Sequence, residues 1–264
     1  MYQQFRLIVL TIVISLMTAI CGAAAAPPAV DRDTLYQVST ISALMAGVYN
    51  GSMSVADFSR QGNIGIGTFE GLDGEMIIID GKVYQVEGSG KVTPAAPDMM
   101  IPFATITFFD TDRQLSLPGL GSVKDLYAAL LPHMPKGNMF YAIRVDGEFS
   151  YVKTRSVPKQ QQPYPPLTEV TKNQPVFEAV MVKGTLVGFW SPAFAQGINV
   201  PGFHLHFISQ DRTFGGHLLD CRLISGTARL DETASILLVL PTEKAFQQAD
   251  LAKDWQAAIH QAEK

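Results

Sequence analysis

The residues best equipped for chemistry are two histidines one residue apart, His204-Leu205-His206, and a third further along, His217. In an extended strand successive side chains face opposite ways, so His204 and His206 share one face while Phe203, Leu205 and Phe207 pack behind it. A chain reversal centred on Asp211-Arg212 sets His217 directly opposite His206 on the neighbouring strand. Three neutral imidazoles on one sheet face suit zinc, which in catalytic sites takes three protein ligands and keeps one position open for water or substrate. Copper, iron and nickel accept the same donors, so the spacing selects a divalent metal and not one element. It also admits a bland reading, the polar face of an ordinary hairpin. Of the five histidines in the chain, His133 beside Pro132 and His260 near the C-terminus are expected on the surface. Taken alone, the cluster is compatible with a three-histidine zinc hydratase or hydrolase, whose open position activates a water. It is compatible too with a secreted metal-binding module that does no chemistry.

The rest of the chain must position this hairpin. Leu35, Val38, Ile41, Leu44, Met45 and Val48 recur every three or four positions and predict a helix over residues 33–49. A short helix over 55–60 follows, with Ser54 as its cap and Asp57 in its first turn. Apolar runs between Ile64 and Val86 are punctuated by Asp73-Gly74 and Asp80-Gly81, dipeptides that accept positive φ, which predicts a β-meander. A strand over 103–109, a helix over 123–131 behind Ser122 and a hairpin turning at Asp146-Gly147 complete the first half. From Ser156 to Pro175 the composition shifts to Pro158, Gln160, Gln161, Gln162, Pro163, Pro165 and Pro166, which break ladder hydrogen bonding and suggest a boundary. Beyond it strands are expected near 177–182, 185–190, 203–208, 216–224 and 236–240. A terminal helix from about residue 244 carries Leu251, Trp255 and Ile259 on one stripe. The fold class expected is α+β or α/β: two mixed-sheet domains packed together with helices, residues 27–175 and 176–264, with the metal site between them.

Residues 1–26 are set apart by Arg6, an uncharged apolar run from Leu7 to Ile20 and the small residues Gly22 to Ala26. This is the pattern of a signal peptide cleaved near Ala25 or Ala26. The run is shorter than the roughly 20 apolar residues that span a bilayer as a helix. Ile20 is too large to precede a lipidated Cys21. Secretion or periplasmic export is therefore expected, with no membrane association after cleavage. Losing Arg6 takes the formal charge from −4 to −5, which argues against nucleic acid as a partner. Of two cysteines only Cys221 lies beyond the leader, so no intrachain disulfide is available despite the oxidising destination.

The stretch Asn199-Val-Pro-Gly-Phe-His-Leu-His-Phe-Ile-Ser-Gln-Asp-Arg-Thr-Phe-Gly-Gly-His-Leu-Leu-Asp220 resembles the metal-binding segment of the α-acetolactate decarboxylases. Gly67-Thr-Phe-Glu-Gly-Leu-Asp-Gly-Glu75, Thr154-Arg-Ser-Val-Pro-Lys-Gln160 and Pro163-Tyr-Pro-Pro-Leu167 are similar to further segments of that family in the same order. The resemblance implies conversion of 2-acetolactate to acetoin and carbon dioxide at a Zn2+ held by His204, His206 and His217, within a fold of two α/β domains. Zinc would act as Lewis acid on the keto and hydroxyl oxygens and stabilise the enediolate left by decarboxylation. The resemblance also implies a C-terminal tail returning to the metal, and commonly a homodimer. By residue-wise match, Arg155 is the active-site arginine, orienting the substrate carboxylate or oxygens, and Glu75 and Glu263 are candidate proton donors. Thr68 is a candidate hydrogen-bond donor to substrate, and Glu70 a weaker alternative to Glu75. On bare sequence Glu75 reads as a solvated hairpin residue, Arg155 as a strand end and Glu263 as a fraying terminus.

Overall fold

Turn chemistry and burial place the strands. The computed structural model describes residues 32–135 and 137–262. The leader expected over 1–26 and the tail residue Glu263 lie outside them. From the N-terminal side the elements run β1 (Thr34–Val38), α1 (Ile41–Met45), β2 (Met53–Ser54), α2 (Val55–Phe58), β3 (Ile64–Thr68), β4 (Glu75–Ile79) and β5 (Lys82–Val86). Then come β6 (Val92–Pro94), β7 (Met100–Ile101), β8 (Phe103–Thr107), β9 (Arg113–Leu117), α3 (Val123–Leu130) and β10 (Phe140–Arg155). The remainder holds α4 (Leu167–Val170), β11 (Val176–Ser191), β12 (Gly202–Ser209), β13 (Gly215–Thr233), β14 (Ser235–Val239), α5 (Lys244–Gln248) and α6 (Gln256–Ala262).

Two large sheets result. One has seven strands in the order β14-β1-β8-β3-β4-β5-β6, with β14 parallel to β1. The other has five in the order β10-β11-β12-β13-β9. Because β10 also pairs with β13, strands β10, β11, β12 and β13 close into a ring. Leu205, Phe207, Phe149, Val152 and Leu218 fill one core of the ring sheet. A second core joins the two sheets: Ile64, Ile66, Ile77 and Ile79 from the first pack with Val187, Phe189 and Ile208 from the second.

The meander forms as its turns demand. Asp80 and Gly81 take φ of 52° and 73° between β4 and β5, the left-handed pair a tight hairpin needs. Ser54 and Ser122 cap their helices by accepting from the amides of Asp57 and Asp125. Several expectations are corrected. Residues 33–49 are not one helix but β1, a break at Ser39 with φ of 63°, and α1 capped by Thr40. β1 is hydrogen-bonded on both edges, to β14 and to β8, and ladder pairing outweighed the helical stripe. Asp146-Gly147 is no turn: β10 runs straight through it. Asp146 is held by Arg144 at 2.8 Å, Arg229 at 2.6 Å and the Thr185 hydroxyl at 2.8 Å. Gly147 faces Gly184 and Gly226 on the flanking strands, where a Cβ would lie 2.9 Å from the Ser225 carbonyl oxygen.

The third correction concerns the division at residue 175, which does not separate the sheets. β9 and β10, from before it, complete the sheet of β11 to β13, and β14, from beyond it, returns to β1. The described residues from Arg32 onward form one compact unit. The Pro/Gln-rich tract from Ser156 therefore connects β10 to β11, adjacent antiparallel strands of one sheet, and carries α4 on the way. The strands expected at 177–182 and 185–190 are one continuous β11, and the terminal helix is broken into α5 and α6.

Candidate metal centre

β12 is the element that sets the site. Its odd residues Phe203, Leu205 and Phe207 pack into the ring core, so His204 and His206 turn to the opposite face, toward the seven-stranded sheet. The hairpin register pairs His206 with His217, as the reversal about Asp211-Arg212 required. Asp211 secures that turn by accepting from the hydroxyls of Ser209 and Thr213. The three imidazole centroids are 5.1 to 5.4 Å apart, and one ring nitrogen from each lies within 4.8 Å of the others. All three are buried.

The close approach of neighbouring strands is bought by glycine. A Cβ on Gly188 of β11, opposite Leu205 of β12, would run into the His204 carbonyl oxygen. Gly216 sits at φ of 132° next to His217, with the Arg155 carbonyl oxygen only 2.5 Å from where its Cβ would be. Thr154 on β10 ties the same point by donating to the Gly215 carbonyl at 2.9 Å.

Burial keeps His204 and His206 neutral. It pushes His204 down to about 3, with the Arg155 charge adding to the effect. His206 is also held well below its ordinary value, first by burial and then by the fields of His204 and Arg155. Neutral imidazole is the metal-binding form. His206 Nδ1 lies 2.9 Å from the Met76 carbonyl oxygen, so it carries the proton and Nε2 carries the lone pair. That Nε2 is buried with no hydrogen-bond partner. An orphaned buried nitrogen beside two further imidazoles is the donor set a zinc-type cation completes, and the residues fit such an ion.

Around these histidines the other candidates converge. Glu75 begins β4, directly across the ladder from Thr68 on β3. Its carboxylate lies 3.6 Å from His206 Nε2 on one side and 3.9 Å from Arg155 Nη1 on the other. Arg155 ends β10 as the cross-strand neighbour of His217. It donates to the Gln174 side chain at 2.7 Å and to the Ala262 carbonyl at 2.5 Å. Thr68 spends its hydroxyl proton on the Gly74 carbonyl at 2.7 Å, fixing the turn that delivers Glu75. Its oxygen can still accept, which differs from the donor role expected of it. Glu70 is not among the residues lining the cavity, a space of about 40 Å3 bounded by the three histidines, Glu75, Arg155 and Thr68. Its other wall is apolar: Ile41 and Leu44 of α1, Leu72, Phe103, Val157 and Leu167 of α4. His133 and His260 are exposed, as expected. Sequence reasoning missed Gln174, the Met76 carbonyl and this apolar wall; only the helical stripe of α1 hinted at any of them.

Fold and site together define a mixed α+β protein with a buried three-histidine centre able to hold a metal ion, facing an arginine and a carboxylate. The alpha-acetolactate decarboxylase family profile matches residues 35–253. The alpha-acetolactate decarboxylase of Methanosarcina mazei is 46% identical over 232 residues, 88% of this chain and 81% of that protein. That of Bacillus subtilis strain 168 is 41% identical over 217 residues, covering 82% and 85%. The crystal structure of the enzyme from the same strain superposes with a TM-score of 0.84 at 39% identity, covering 87% of this chain and 98% of that one. This chain belongs to the alpha-acetolactate decarboxylase family, a family of carboxy-lyases.

Proposed function

We propose that this protein converts 2-acetolactate to acetoin and carbon dioxide, with Zn2+ as its metal. The observation that carries the proposal is the convergence of three buried imidazoles, Arg155 and Glu75 on one cavity, in a chain of this family. In the reaction the bond between C2 and the carboxylate breaks, its electron pair delocalises toward the ketone oxygen, and a proton is returned to C2. His204, His206 and His217 would hold the zinc ion, which would supply Lewis-acid stabilisation for negative charge on the substrate oxygens.

The chain's own groups do the rest. Arg155, buried and positively charged, orients the substrate carboxylate. Glu75, placed between imidazole and guanidinium, is the group assigned to return the proton to one face of C2, with Glu263, next after Ala262, as the second candidate. The apolar wall of Leu44, Leu72, Val157 and Leu167 limits water beside the substrate, which favours proton delivery by a positioned residue to one face of C2 and so one enantiomer of acetoin. Export through residues 1–26 and assembly as a homodimer belong to the same proposal.

Arg155→Ala separates this reading from a zinc hydratase or hydrolase. It should lower acetoin formation by about a hundredfold or more while bound metal stays at one per chain. A hydratase needs no such arginine, and unchanged turnover in Arg155→Ala would count against the decarboxylase assignment. His204→Ala and His217→Ala should each lose both metal and activity while the circular dichroism of the fold is retained.

A further inference from the structure

Arg155 is held by two acceptors, and only one of them is a side chain. Nη1 donates to Gln174 Oε1 at 2.7 Å and Nη2 to the Ala262 carbonyl, while Nε is buried with no hydrogen-bond partner. Gln174 stands in extended conformation immediately after a 3₁₀ turn over Thr171–Asn173. Its backbone neighbourhood is anchored, because Ser156 N donates to the Pro175 carbonyl and Arg155 pairs with Val176 in the β10–β11 ladder. The amide oxygen is thus fixed relative to the strand end that carries the guanidinium.

The alternative partner for Nη1 is Glu75 Oε1, 3.9 Å away and beyond hydrogen-bond reach. A carboxylate is the stronger acceptor for a guanidinium, so without a competing acceptor Arg155 would close onto Glu75. Gln174 supplies that competitor without adding negative charge. It keeps the guanidinium in place, with N–H groups left over beyond the two donated to Gln174 and Ala262.

We propose that Gln174 is a positioning residue for Arg155, holding the guanidinium off Glu75 so that the N–H groups not donated to Gln174 and Ala262 stay available to the substrate carboxylate. The inference rests on the decarboxylase reading of the same cavity.

The test is a double-mutant cycle on the metal-loaded full protein, comparing the parent, Gln174→Ala, Arg155→Ala and the double variant. The reporter is the affinity for 2-hydroxy-2-methylpropanoate, a carboxylate with the tertiary hydroxyl but no ketone, measured by calorimetry; turnover of 2-acetolactate is followed in parallel. Gln174→Ala should weaken analogue binding and lower kcat/KM by about tenfold each, the scale of a displaced orienting group. In the Arg155→Ala background the same change should cost less than about twofold, because a residue acting through another is non-additive with it. A Gln174→Ala variant that binds and turns over like the parent overturns the proposal. So does a loss of equal size with and without Arg155, which is the signature of a merely structural role. Melting temperatures of all four proteins show that each is folded. A parent that makes no acetoin is a separate result: it removes the decarboxylase reading and this inference with it.

Discussion

At the scale of single residues, burial sets protonation in two places with opposite chemical sense. At the centre it keeps His204 and His206 uncharged, as a cation site requires. Away from it, burial pushes the Asp231 carboxyl up to about 7, with Asp112, Asp33 and Asp110 adding repulsion and the Asp110 amide opposing. Asp231 Oδ1 has no hydrogen-bond partner. A raised carboxyl means that the native state binds more protons than the unfolded chain between about pH 4 and pH 7, so this group costs stability as pH rises through that window. Asp231→Asn removes the charge and should raise stability at pH 8 by about 1–2 kcal/mol, a figure reduced for partial solvent screening, and do nothing at pH 3.5. Thermal melts at the two pH values check it; destabilisation at both would show that the carboxylate is needed as such. Residue identity was legible where chemistry has a spacing, as in His204-x-His206. It was illegible for Gln174, one glutamine near a tract rich in them, whose role comes from the loop that brings it to Arg155.

At the scale of elements, the sequence disclosed those whose pattern is local. The hairpin register that joins His206 to His217 followed from chain reversal alone, and the caps Ser54 and Ser122 marked their helices. β1 was hidden because a strand buried inside a sheet loses its polar face, leaving Leu35 and Val38 at a spacing a helix shares. Asp146-Gly147 looked like a turn because glycine signals either positive φ or a close backbone approach, and here it is the second. The same logic makes Gly188 a test of the frame around the metal. Gly188→Ala must push β12 away from β11 at His204, and should cost about 1–3 kcal/mol of stability together with a clear drop in metal affinity. Equilibrium denaturation and metal titration measure the two effects. Parent-like metal affinity would mean that β12 does not depend on this contact.

At the scale of the whole molecule, the centre lies between two sheets, each built from both halves of the sequence. The ring sheet contributes the three histidines and Arg155, and the seven-stranded sheet contributes Thr68 and Glu75. A boundary drawn where composition changes missed this, because β9 and β10 join strands from the other side of the Pro/Gln-rich tract and β14 crosses back. Long-range pairing of that kind leaves no mark in a local pattern. The chain's resemblance to a family, carried by several separated motifs, did reach across the gap and pointed to Glu75 and Arg155, which the fold places beside the histidines. Expression of the full chain should deliver activity outside the cytoplasm, and deletion of residues 1–26 should retain it inside; fractionation that finds the full chain cytoplasmic would remove the export proposal.

The central claim, a histidine-held metal driving loss of carbon dioxide from 2-acetolactate, is tested most directly by one assay. Purified protein is stripped with chelator, assayed with racemic 2-acetolactate for carbon dioxide and acetoin, then reconstituted with Zn2+ and assayed again. The account predicts no turnover in the stripped protein and equal amounts of both products once one zinc per chain is restored. Full acetoin formation by stripped protein, or none after zinc is restored, would contradict it.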